Sequence, residues 1–153
     1  SDNTVSDASG YNKNSYIFKN SMLENINQIS VQASSVSGDY AAENSAEIPV
    51  YEPVLIFYKK SPTEGVLYSK ALEKESLMSE NEMTIVAEPY FMPIKNSSTY
   101  EWKINGNNTE TPLKKTEMTV RPTSRGGYAT INLIIQNTSE LFQKVSNQLK
   151  LIL

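Results

Sequence analysis

The residues best equipped for chemistry are carboxylates and aromatic rings. Glu73, Glu75, Glu80 and Glu82 lie close together, enough for an acid–base pair or a hard-cation site. They lack the Asp-x-Asp spacing and glycine turn of a calcium loop, so they read as a solvated, charged face. Tyr51, Tyr58, Tyr68, Tyr90 and Phe91 offer rings on which a sugar could stack. Such a site needs a flat, exposed ring, and tyrosines scattered among β-formers are ordinary strand composition. Trp102 is either a stacking platform or a core residue. Tyr100 and Ile104 share its face while Glu101 and Lys103 occupy the other, which favours the core. No catalytic, cofactor-binding or metal-binding residue is assigned.

What is missing narrows the chemistry further. The sequence has no cysteine and no histidine. No disulfide, thiolate nucleophile or Cys-based zinc site is available within it. The commonest acid–base group at neutral pH and the commonest metal ligand are absent too. The expectation is a protein that is not an enzyme and takes no cofactor. Net charge is −3, and the basic residues are single or paired, as in Lys59-Lys60 and Lys114-Lys115, so no nucleic-acid partner is expected. No apolar run approaches the roughly 18 residues that span a bilayer, so no transmembrane segment is expected.

Extended segments must position these groups. Residues 1–13 are rich in Ser, Asp, Asn and Gly, as a loop or mobile end would be. Strands are predicted near 15–19, 28–34 and 46–51. The second alternates Ile29, Val31 and Ala33 with Ser30, Gln32 and Ser34, the pattern of a half-buried strand. Pro49 places the third at an edge or at the exit to a linker, and residues 51–53 form the joint. Beyond it, Val54–Tyr58 is a strand, Ser61–Gly65 a turn, and residues 69–80 a helical turn or two. Met83–Ala87 is a strand ended by Pro89 and Pro93. Tyr100–Ile104 runs into Asn105-Gly106, the strongest hairpin signal in the chain. Strands near 116–121, 129–136 and 148–153 complete the pattern, and short strands punctuated this way describe a β-sandwich.

The chain also repeats itself. An offset of about 102 lays Tyr16, Phe18 and Lys19 over Met118, Val120 and Arg121, and Ile29, Val31 and Ala33 over Ile131, Leu133 and Ile135. One position more lays Ala46, Ile48 and Val50 over Leu149, Leu151 and Leu153. The alternation stays in phase across all three segments. The expected domains are therefore residues 1–50, the C-terminal half of one module, and residues 51–153, a complete second module.

Tyr100-x-Trp102-x-x-x-Gly106, followed by Gly127-Tyr128-Ala129-Thr130-Ile131-Asn132-Leu133-Ile134-Ile135-Gln136-Asn137, resembles PKD and related bacterial immunoglobulin-like repeats. The resemblance covers about residues 50–153 and, through the internal repeat, residues 14–50. It implies an all-β, immunoglobulin-like (PKD-like) antiparallel β-sandwich, preceded by a three-strand remnant of a similar module. It also implies a core tryptophan, Trp102, on one central strand, with the Ile131, Leu133, Ile135 row on a strand of the opposing sheet. Lys103-Ile104-Asn105-Gly106-Asn107 replaces the family's acidic loop, which weakens any carry-over of calcium or ligand binding. Tyr128 sits one residue out of phase with the row, so either a bulge follows Gly127 or the ring faces solvent.

Such modules serve as beads in cell-surface and secreted proteins. The leading expectation is a structural spacer, stalk or filament subunit, extracellular or at the cell surface. The alternatives are an adhesion module binding carbohydrate or another surface protein through end loops, and an accessory domain of a larger extracellular enzyme. The expected core is Trp102, Tyr100, Ile104, Ile131, Leu133, Ile135, Ile29 and Val31, with Asn105 and Gly106 at the turn. Burying Tyr16, Phe18, Ile29, Val31, Ile48 and Val50 is worth on the order of 10 kcal/mol. That face is expected to be covered by the neighbouring module, by strand exchange with a second copy, or by an added strand. The partners expected are thus the chain itself or neighbouring modules. Three Asn-x-Ser/Thr sequons, at Asn96, Asn107 and Asn137, are compatible with glycosylation.

Overall fold

The computed structural model describes residues 5–18, 25–123, 126–139 and 143–153. Among these the chain is all-β and mostly antiparallel, with one short 3-10 turn at Ser6–Ala8 and no α-helix. It divides into two compact units, Ser1–Tyr51 and Glu52–Leu153.

In the first unit, β1 (Ile26–Ser34) and β2 (Ala41–Pro49) form an antiparallel hairpin. Ile29 lies opposite Ala46, Val31 opposite Asn44 and Ala33 opposite Ala42. The turn is held by Ser35, whose N–H donates to Tyr40 O (2.8 Å) and whose Oγ accepts from Tyr40 N–H (3.1 Å). Gly38 supplies the left-handed residue, with φ of +80°. Two expectations need correction here. Residues 13–18 are irregular, although the rings of Tyr16 and Phe18 stack at 6.2 Å; Lys19 lies outside the described residues. Among its described residues the first unit therefore holds a two-stranded sheet, not the three strands expected. Ile29 is only half-buried and Val31 is 63% exposed, so neither belongs to a buried core. Among the described residues of its unit, no second sheet faces the hairpin.

The second unit has two open sheets. One runs in the order β5 (Glu75–Leu77), β11 (Lys144–Ile152), β10 (Tyr128–Asn137), β7 (Ser98–Ile104), β8 (Asn107–Asn108). The other runs β4 (Gly65–Ala71), β3 (Val54–Ser61), β6 (Met83–Tyr90), β9 (Glu117–Val120). Every pairing is antiparallel except β5 on β11. Alternation gives each sheet an apolar face, and both faces feed one core. Leu55, Phe57, Ile85 and Met118 come from one sheet, and Trp102, Ile131, Leu133, Ile135 and Leu149 from the other. Trp102 and the Ile131, Leu133, Ile135 row therefore share one sheet, on paired neighbouring strands, and do not lie on opposing sheets as expected. This is consistent with a β-sandwich. Tyr100 and Ile104 are half-buried against the same core.

Local chemistry accounts for the details. Asn105 and Gly106 have φ of +51° and +80°, the pair of left-handed residues that a tight hairpin turn between β7 and β8 requires. Tyr128 is exposed and β10 runs without a bulge; Lys150 Nζ sits 5.1 Å from its ring centre. Residues 69–80 are not helical. They finish β4, form β5 and bury Met78, because parallel pairing to β11 captures the segment. Pro89 does not end β6 but lies within it, opposite Leu55. Ala87 N–H points towards β9 and donates to Thr116 O (2.8 Å). Pro89, two residues on, faces the same way beyond the end of β9, where no donor is needed.

Candidate functional site

Hairpin β1–β2 is the counterpart of hairpin β10–β11, residue for residue. Ile131 lies opposite Leu149, Leu133 opposite Asn147 and Ile135 opposite Val145. The offsets that relate the sequences carry each of these pairs onto Ile29/Ala46, Val31/Asn44 and Ala33/Ala42. The closing bonds correspond as well. Ser35 N–H to Tyr40 O (2.8 Å) matches Asn137 N–H to Gln143 O (2.9 Å). Val50 N–H to Asn25 O (2.9 Å) matches Leu153 N–H to Gly127 O (3.0 Å). A slip of one residue would put the apolar row on the opposite face, so agreement at both ends fixes the register.

The counterparts differ in their surroundings. β10 is paired on both sides, with Trp102 of β7 opposite Leu133, and its inward residues are fully buried. β1 pairs, among the described residues, with β2 alone. Asn147 and Asn44 show the same contrast in side chains. Each Oδ1 accepts from the next main-chain N–H, at 2.8 Å from Gln148 and 2.9 Å from Ser45. Asn147 Nδ2 also donates across to Leu55 O of β3 (2.7 Å). Asn44 is exposed, with no facing strand among the described residues of its unit.

A second cluster lies on the outer face of the β4–β3–β6–β9 sheet. The hydroxyls of Tyr58 and Tyr90 are 3.1 Å apart, and Tyr68 Oη donates to Glu88 Oε1 (2.8 Å). The hydrogen bond with Tyr58, reinforced by burial, pushes the Tyr90 hydroxyl up to about 12. The bond to Glu88 likewise raises Tyr68. Tyr58 and Tyr68 meet edge to face, 5.1 Å apart at 64°, which spends one ring edge inside the cluster. Beside them Lys60 Nζ donates to both Glu117 oxygens (3.0 and 2.8 Å). This bond holds the Glu117 carboxyl below its usual range and raises Lys60.

The other sequence candidates fall elsewhere. Three of the four clustered glutamates separate into ion pairs: Glu75 with Lys150, Glu80 with Lys59, and Glu82 with Arg121. No group of three metal-ligating side chains occurs among the described residues. A shallow groove of about 530 Å³ runs past Lys74, Glu75, Asn132, Gln148 and Lys150 on the outer face of β10 and β11. Trp102 is no platform. It is fully buried, stacked 6.1 Å from Phe57, and its Nε1–H donates to Lys115 O (2.9 Å). Asn105 Oδ1 accepts from Thr130 N–H (2.8 Å), tying the turn to β10. Compared with family models and with curated proteins, the chain matches none.

Two features had only faint sequence signals. Asn137 is buried in a polar corner, its Oδ1 accepting from Ser97 Oγ (2.9 Å) and Ser139 Oγ (2.7 Å), and its Nδ2 donating to Gln143 Oε1 (2.8 Å). Of the three sequons this one is closed in the folded chain, whereas Asn96 and Asn107 are exposed. The Asn44/Asn147 identity was visible once the repeat was aligned, but nothing local set it apart.

Proposed function

We propose that the chain is a non-enzymatic structural module, a spacer, stalk or filament subunit of a cell-surface or secreted bacterial-type protein. The second unit is an immunoglobulin-like, PKD-like bead, and the first is the closing hairpin of another bead built to the same plan. One observation carries the reading: a hairpin repeated in sequence, register and closing hydrogen bonds within one chain. Modules repeated at fixed spacing suit length and mechanical continuity, and each needs only its own core. The absence of histidine and cysteine supports a role without catalysis.

Single-molecule pulling on the full chain, held at both ends, tests this. Unfolding of Glu52–Leu153 should appear as one discrete event lengthening the chain by roughly 30 nm, at about 3.6 Å per residue less the folded span. Smooth extension without such an event would refute a mechanical bead.

The tyrosine cluster favours a second reading, adhesion to carbohydrate or protein. Tyr68, bonded to Glu88, and Phe91 are exposed, and an exposed ring beside an acceptor suits a sugar. A glycan-array hit abolished by Tyr68→Ala would support it. Silence across the array would dismiss its carbohydrate form.

A further inference from the structure

Asn105 is the chain's only asparagine followed by glycine. That pair is reactive as well as turn-forming. Glycine has no side chain to shield its main-chain nitrogen, so the Gly106 nitrogen is open to attack the Asn105 side-chain carbonyl carbon, Cγ. A C–N bond forms, and the side-chain nitrogen takes up the Gly106 proton and leaves as ammonia. The product is a cyclic succinimide. Water then opens either carbonyl of the ring, giving aspartate or isoaspartate. In isoaspartate the main chain runs through the former side-chain carbonyl. Both products add a negative charge. Asn105 is exposed, so water reaches it.

The folded turn blocks the first step. Ile104 pairs with Asn107 across a two-residue loop, with φ of +51° at Asn105 and +80° at Gly106. This is a type I′ turn, with ψ of about +30° at its first residue. Ring closure needs the Gly106 nitrogen and the Asn105 Cβ on the same side of the Cα–C bond. At that ψ they lie nearly opposite, so the nitrogen cannot reach Cγ until the turn unwinds. Two bonds to β10 keep it wound. Asn105 N–H donates to Thr130 O and Asn105 Oδ1 accepts from Thr130 N–H, each at 2.8 Å. The second bond also pins Cγ towards β10.

We propose that Asn105-Gly106 is a conditional modification site. It is inert while the β7–β8 turn is closed, converts to aspartate and isoaspartate when the turn opens, and cannot close again as isoaspartate. Aspartate keeps a side-chain oxygen for Thr130 N–H. Isoaspartate puts an extra carbon into the main chain and hangs its carboxylate directly on Cα. The two-residue loop between Ile104 and Asn107 then no longer fits. A transient opening is thereby recorded covalently.

The test ages the full chain in mildly alkaline buffer beside an end-capped peptide of residues 103–108, and follows Asn105 in both by peptide mass spectrometry. Conversion in the folded chain should be at least tenfold slower than in the peptide, corresponding to at least ~1.4 kcal/mol of local opening free energy. Asn107→Pro removes an N–H from the pair that closes the turn and leaves Asn105-Gly106 intact. It should erase most of that difference while Trp102 emission shows the second unit still folded. In the purified isoaspartate form, the Thr130 amide should exchange about tenfold faster or more by NMR. Asn105→Asp should leave Thr130 as protected as in the parent chain.

Three results would overturn the proposal. The first is conversion of Asn105 in the folded chain at the peptide's rate. The second is an Asn107→Pro chain that stays folded and reacts no faster than its parent. The third is an isoaspartate form whose Thr130 amide is as protected as before, which would show the turn closing again.

Discussion

Asn147 and Asn44 occupy equivalent places in equivalent hairpins, yet replacing them should have unequal consequences. Phe57 O, on the β4 side of β3, accepts from Leu72 N–H at 2.8 Å. Leu55 O lies on the same edge, two residues earlier, and Asn147 Nδ2 satisfies it from the other sheet. Leu55 is buried. Asn147→Ala therefore leaves a buried carbonyl without a donor and frees the Gln148 N–H from its side-chain acceptor. An unsatisfied buried group costs about 1–3 kcal/mol, so the substitution should destabilise the second unit by about 2 kcal/mol. For a unit of this size that is a fall in Tm on the order of 10 °C. Asn44→Ala removes the same atoms from an exposed site, where substitutions usually stay within about 0.5 kcal/mol. Urea and thermal melts of the full chain, followed by the fluorescence of its single tryptophan, Trp102, report on the second unit. Hydrogen exchange in Ile26–Pro49 reports on the first. A cost under about 0.5 kcal/mol for Asn147→Ala would refute the cross-sheet bond. An equal loss at both sites would refute the difference in their surroundings.

Further outcomes follow from the same geometry. Trp102→Phe keeps most of the packing but removes the donor to Lys115 O, and should cost about 1–3 kcal/mol, whereas Trp102→Ala should cost about 3–5 kcal/mol by chemical denaturation. Glu117's depressed carboxyl contributes stability fully above its ordinary value of 4.5 and loses it as pH falls through the lower folded value. Acid melts of Lys60→Met should therefore show a weaker loss over that window. Tyr90, at about 12 in the folded chain, stays protonated while the unfolded chain ionises near 10.0. Stability should then decline as pH rises from 10 to 12, less steeply in Tyr58→Phe, and spectrophotometric titration would check it.

Much of the fold was legible because strand patterning is local. The rows Ile29, Val31, Ala33 and Ile131, Leu133, Ile135 alternate over whole strands, and the Asn105-Gly106 turn needs only its own backbone preferences. What eluded sequence reading depends on partners distant along the chain. Ala71, Leu72, Leu77 and Met78 are spaced as in a helix, yet pairing of Glu75–Leu77 with Lys150–Ile152 makes the segment a strand. Tyr16 and Phe18 align with Met118 and Val120 of β9, but β9 is a strand through its pairing with β6. Residues 13–18 show no such neighbour among the described residues, so an equivalent pattern stays irregular. The side-chain site was less legible still. Lys60 meets Glu117, and Tyr58 meets Tyr90, only after the sheet has assembled.

The register of β1 on β2 decides whether the first hairpin repeats the last. Cross-strand nuclear Overhauser contacts in the isotope-labelled full chain would locate it directly. Ile29 should face Ala46 and Val31 should face Asn44, just as Ile131 faces Leu149 and Leu133 faces Asn147. Contacts from Ile29 to Ser45 or Glu47 instead, or no strand pairing at all across Ile26–Pro49, would contradict it.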